Sequence, residues 1–142
     1  MAQVIIFEND KGGVAICIPT GELPIDAVKT KDTPSHSIIV DSSTLPQGAD
    51  AQFFDAWVMN GSTVTVDMTK AKTVANNNLN AMAKQEVSHR TTNTGIGVSN
   101  VLSDADWLAL LTTARTAISS ASTTQQLLDA VAPVQTAIAD NA

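Results

Sequence analysis

Phe53-Phe54-Asp55-Ala56-Trp57-Val58-Met59-Asn60-Gly61-Ser62-Thr63-Val64-Thr65-Val66-Asp67-Met68 contains the change of pattern on which the fold turns. Ala56 to Met59 reads as an aromatic-rich strand. Asn60-Gly61 reads as a type I′ turn, in which both central residues take positive φ, and Thr63 to Val66 as the return strand. Alternating Thr and Val give that strand one wet and one buried face. Asp67 stands where a carboxylate caps a helix beginning at Met68. Upstream of this point the pattern is that of sheet, and downstream it is that of helix.

Toward the amino terminus, Val4 to Phe7 and Val14 to Ile18 are apolar strands separated by Glu8-Asn9-Asp10-Lys11-Gly12-Gly13, a sequence suited to a hairpin reversal. Pro19 stops the second strand because it cannot donate to a ladder. Pro24 to Lys31 predicts two turns of helix with Ile25 and Val28 facing inward. Asp32-Thr33-Pro34 ends it, since the residue before proline avoids the helical basin. Ser37 to Val40 is a third β-branched strand. With the hairpin at Gly61, five strands are expected to form one small, mostly antiparallel sheet.

Toward the carboxy terminus, a helix is expected from Met68 to about Arg90, with Met68, Ala71, Ala75, Leu79 and Met82 in a narrow apolar stripe. Asn76, Asn77, Asn78 and Asn80 are poor helix formers, so packing must hold the segment. Two arrangements fit: the helix lies across the open face of the sheet, or it is a stalk pairing with copies of itself. Residues 91–100 read as a linker. Its Gly95-Ile96-Gly97 follows no strand and lacks a third glycine, which argues against a nucleotide loop.

Trp107, Leu111, Ala114 and Ile118 are spaced four, three and four apart, and Leu127, Val131, Val134 and Ile138 repeat that spacing twenty residues later. Ser103-Asp104-Ala105-Asp106 and the capping-box pattern Ser122-Thr123-Thr124-Gln125 open two helices. Their short connection predicts an antiparallel hairpin, and Pro133 should kink or break the second helix. Two helices cannot bury both stripes alone. They must pack on the long helix, on the sheet, or on another subunit.

The expected architecture is therefore α+β: a β-rich docking domain over 1–67, a connecting helix over 68–92, and a linker and helical hairpin over 93–142. The eight stripe residues Trp107, Leu111, Ala114, Ile118, Leu127, Val131, Val134 and Ile138 are the candidate interface.

The net charge of −6 is uneven, with three Lys against nine acids in residues 1–67, four bases against one acid in 68–92, and one base against four acids in 93–142. The central basic band, Lys70, Lys72, Lys84 and Arg90, contains no aromatic for stacking on bases, so it reads as a solvated helix face and no nucleic-acid partner is expected. The lone Cys17 lies in an apolar run and reads as a core residue, and one cysteine allows no intrachain disulfide. The apolar run Val4-Ile5-Ile6-Phe7 is too short for a signal segment or a membrane span. His36 and His89 are far apart and lack ligand spacing. No nucleophile or paired-carboxylate pattern emerges, so neither an enzyme nor a cofactor is expected.

Several segments together carry a resemblance: Ile18-Pro19-Thr20-Gly21-Glu22-Leu23, Lys31-Asp32-Thr33-Pro34, Ile38-Ile39-Val40-Asp41, Phe53-Phe54-Asp55-Ala56-Trp57, and Val64-Thr65-Val66-Asp67-Met68-Thr69-Lys70-Ala71-Lys72. Residues 1–72 resemble small bacteriophage tail-module proteins of the tail-fibre assembly or minor tail type. The resemblance implies a non-enzymatic structural component of a tailed-phage virion, in the tail or its fibres. Its partners would be other phage structural proteins and copies of itself. The alternative it implies is a tail-fibre assembly chaperone absent from the mature particle.

Overall fold

The computed structural model describes residues 2–142, and the chain divides into two compact units, one ending at Lys70 and one beginning at Ala71. The fold is α+β, with strands confined to the first unit and the three longest helices in or entering the second.

In the first unit, β1 (Gln3–Glu8) pairs antiparallel with both β2 (Val14–Cys17) and β3 (Ile38–Asp41), so β1 is central. The strands β4 (Trp57–Asn60) and β5 (Thr63–Val66) form a separate antiparallel pair. One sheet was expected and two are present. Burial gives the reason: Val4, Ile5 and Ile6 are consecutive and all buried, which requires cover on both faces of β1. On one face Val4, Ile6 and Val14 cluster with Trp57 and Val64 of the second sheet. On the other, Ile5 stands between its register partners Cys17 and Ile39. The helix α1 (Ile25–Asp32) packs on β1 and β3, and its buried Val28 shares a shallow pocket with Cys17.

The turns follow from local chemistry. Asn9 Oδ1 accepts the backbone N–H groups of Lys11 and Gly13, and Gly12 supplies the positive φ of 78° that closes the first hairpin. In the second hairpin Asn60 pairs with Thr63, leaving Gly61-Ser62 as the two-residue loop. Gly61 has φ 62°, and no described non-glycine residue has positive φ. The turn is therefore of the type II′ pattern with glycine first, one residue later than the expected type I′ turn on Asn60-Gly61. Between the sheets, a 3-10 segment over Asp50–Ala56 bends at Phe53, and Trp57 Nε1 donates to Asp50 O at 2.9 Å.

The helix α2 (Met68–Gly95) opens as expected, with Asp67 Oδ1 accepting from Lys70 N at 3.1 Å. It runs past Arg90 into the expected linker and stops in a Schellman motif. There Val98 N–H reaches Asn93 O at 2.7 Å, Gly97 N–H reaches Thr94 O at 3.3 Å, and Gly97 takes φ 79°. The Gly-Ile-Gly stretch is thus a helix stop.

α3 (Asp104–Ser120) is capped by Ser103 Oγ, which accepts from Asp106 N, and α4 (Thr124–Asp140) by Thr123 Oγ1, which accepts from Gln126 N. The second cap sits one residue later than the expected box, and Gln126 Oε1 reaches back to Ser122 N at 2.7 Å. α4 continues through Pro133, so the expected break is absent. Pro133 and Asp129, whose carbonyl loses its donor, both lie on the exposed face, where water can take up the freed group.

Side-chain bonds fix how these helices align. Lys72 Nζ, near the start of α2, donates to Ser119 O near the end of α3, whereas Arg90 pairs with Asp104 at the start of α3. Asn141, just beyond α4, bonds Glu86 of α2. Hence α2 is antiparallel to α3 and parallel to α4, an up-down-up bundle. Its apolar core includes the fully buried Leu79, Ile118, Leu127 and Val134. Each contributes about 1.5–3 kcal/mol by burial.

Candidate functional site at the polar end of the helical unit

Seven of the eight stripe residues, Trp107, Leu111, Ala114, Ile118, Leu127, Val131 and Val134, are buried within the chain's own second unit, and Ile138 is half-buried. Within this unit α3 and α4 pack closely on each other, and Arg90 of α2 lies over the Trp107 ring. A surface that joins copies through these side chains would require the bundle to open. The stripes are core, and the available surface lies around them.

The buried face of α2 begins with Ala71, Ala75, Leu79 and Ala83 and continues at the same spacing with Glu86, Arg90 and Asn93. The apolar core thus becomes polar toward one end of the bundle. Arg90, expected on a solvated face, is 6% exposed. Its Nη2 donates to Leu102 O at 2.7 Å and to Asp104 Oδ1 at 2.6 Å, and its guanidinium lies 5.9 Å from the centroid of the Trp107 ring. The ring face is the negative pole of the indole quadrupole, so the cation is favourably placed. The Asp104 side chain is largely in water, which screens the ion pair and keeps its worth modest.

Asparagines complete this end. Asn93 Nδ2 donates to Asn100 Oδ1 at 3.0 Å, and Asn141 Nδ2 donates to Asn100 Oδ1 at 3.2 Å and to Glu86 Oε1 at 3.0 Å. Asn141 Oδ1 accepts from Val101 N at 2.8 Å, and Asn141 O accepts from His89 Nε2 at 2.7 Å. The segment after α2 is therefore pinned to both α2 and the end of α4, although its composition reads as a linker. Its capacity to hinge is correspondingly reduced.

Beside this cluster is a cleft of about 650 Å³, lined by Trp107, Arg90, Asp104 and Thr94, with Val87 and Leu108 at its apolar rim. Val87 and Leu108 are 51% and 61% exposed, while Trp107 is 3% exposed. Among the described residues no hydrogen-bond partner meets the Trp107 Nε1–H, although the atom is buried.

No family model, curated protein or solved structure matches the chain.

The cleft is chemically mixed. It combines two exposed aliphatic side chains, an indole body, and an Arg–Asp pair that presents a carboxylate to water. The polar cluster was missed in the sequence because Glu86, Arg90 and Asn93 look like surface residues by type. The signal that would have found them is the three-four spacing carried forward from Leu79 through Ala83. His36, the other histidine, lies at the edge of Phe7, with Nε2 3.2 Å from Glu8 O.

Proposed function

We propose that this chain is a non-enzymatic structural component of a tailed-bacteriophage virion. It is built into the tail or its fibres and acts by packing against other phage structural proteins and copies of itself. The observation that carries this reading is the apolar rim formed by Val87 and Leu108 beside Trp107. Covering those two side chains would contribute about 1–2 kcal/mol each. Main-chain pairing along β2 or β3, the edge strands of the three-stranded sheet, offers a second mode of attachment. The resemblance of residues 1–72 to small tail-module proteins supports the same reading.

The test is quantitative mass spectrometry of purified mature particles against the infected-cell lysate. A fixed ratio to a known tail component is expected. Abundance in lysate with absence from particles would overturn the virion assignment and favour an assembly chaperone. In the same assay, Leu108→Asp is expected to lower incorporation while the isolated protein keeps its helical circular dichroism.

A further inference from the structure

Glu86 is an acidic side chain buried inside the helical bundle. It is 3% exposed, and its hydrogen-bond partner is the neutral amide of Asn141, at 3.0 Å from Oε1. The one ion pair among the described residues joins Arg90 to Asp104, so no cation of this chain neutralises Glu86. A buried carboxylate held only by a neutral donor is costly, and a cation supplied from outside would relieve that cost.

Glu86 also lines a groove of about 340 Å³ between α2 and α4, distinct from the Trp107 cleft. Met82 and Ile138 make its apolar walls, and Gln85, Gln135 and His89 its polar border. No lysine or arginine lines it. His89 and Ala142 share the groove with Glu86, and the His89 Nε2–H is taken by Asn141 O.

We infer that this groove binds a primary ammonium group carried on a flexible alkyl stem. The stem lies between Met82 and Ile138, and the ammonium pairs with the Glu86 carboxylate. An ammonium has three donors, and the side-chain carbonyls of Gln85 and Gln135 are acceptors of the right kind for those the carboxylate leaves. Aliphatic walls beside a buried carboxylate suit such a ligand because a lysine-like chain buries its methylenes and keeps its charge paired. The same chemistry is offered by a lysine side chain of another protein and by a free aliphatic diamine. The inference does not depend on the virion assignment.

The test is a methyl-resolved NMR titration of the full chain with Nα-acetyl-lysine N-methylamide, with putrescine, and with the uncharged Nα-acetyl-norleucine N-methylamide. Saturable shifts of the Met82 and Ile138 methyls are expected with an amine and not with the norleucine compound. Glu86→Gln should weaken amine binding by about tenfold or more, as expected for loss of a charge-assisted bond. Tighter binding of the lysine compound assigns the site to a partner's side chain, and tighter binding of putrescine to a free diamine. No saturable shift with either amine, equal shifts with the norleucine compound, or undiminished binding by folded Glu86→Gln overturns the inference. Should Glu86→Gln fail to fold, the charged and uncharged compounds on the unaltered protein decide the question.

Discussion

The Trp107 indole is favoured by burial and penalised at its unpaired N–H. Trp107→Ala is expected to destabilise the helical unit by about 3–5 kcal/mol, as large aromatic truncations do. Trp107→Phe keeps most of the apolar area and removes a donor whose unmet bond costs about 1–3 kcal/mol, so its loss should be clearly smaller. Urea unfolding of the two variants makes the comparison, and equal losses would show that the N–H is satisfied. Asn141→Ala strands the Val101 N–H and takes the amide from Glu86, for an expected loss of about 3 kcal/mol. Asp41 provides a pH test. Its carboxylate accepts the backbone N–H and also a side-chain hydrogen bond of Ser43, and these hold its pKa below the ordinary 3.8. A lowered folded pKa means a contribution fully present above the unfolded value and lost as pH falls through the folded one. An NMR titration should place the Asp41 midpoint below that ordinary value, and Asp41→Asn should remove that part of the acid dependence.

At the scale of elements, Pro133 gives the sharpest expectation. It interrupts the hydrogen-bond ladder of α4 on an exposed face, so Pro133→Ala should restore a bond to Asp129 O and raise stability by about 1–3 kcal/mol in thermal unfolding. Gly61→Ala should cost about 1–2 kcal/mol, because the type II′ loop holds that position at positive φ. The elements themselves were legible in the sequence. Apolar alternation marked β5, β-branched runs marked β1 and β3, and Ser103 and Asp67 marked helix starts that the hydrogen bonds match. What sequence could not supply was tertiary. The Asn60-Gly61 signal located the hairpin, but cross-strand register moved the loop to Gly61-Ser62. The five strands were identified, but their division into two layers depends on the two-sided burial of β1. The stripes of α3 and α4 were correct as apolar faces. Spacing alone does not distinguish a face buried in its own bundle from one buried against another copy. The polar cluster at Glu86, Arg90 and Asn93 was hidden because its members are buried only through partners far away in the chain.

At the scale of the whole molecule, each unit has its own core, and the boundary between them at Lys70 and Ala71 falls in the first turns of α2. A cavity made in one core should therefore be felt first in that unit. Ile118→Ala, at a fully buried position, is expected to lower the stability of the helical unit by about 2–5 kcal/mol. The hydrogen-exchange protection of β1 is expected to change less than that of α3. The chain has two tryptophans, and each unit buries one, Trp57 in the first and Trp107 in the second. Their surroundings differ: Trp57 meets the Phe54 ring edge-on at 4.9 Å, whereas Trp107 has a guanidinium at its ring face. The protein thus carries an intrinsic two-channel fluorescence readout. With Trp57→Phe or Trp107→Phe as background, the emission of the remaining indole follows one unit at a time, without an added dye.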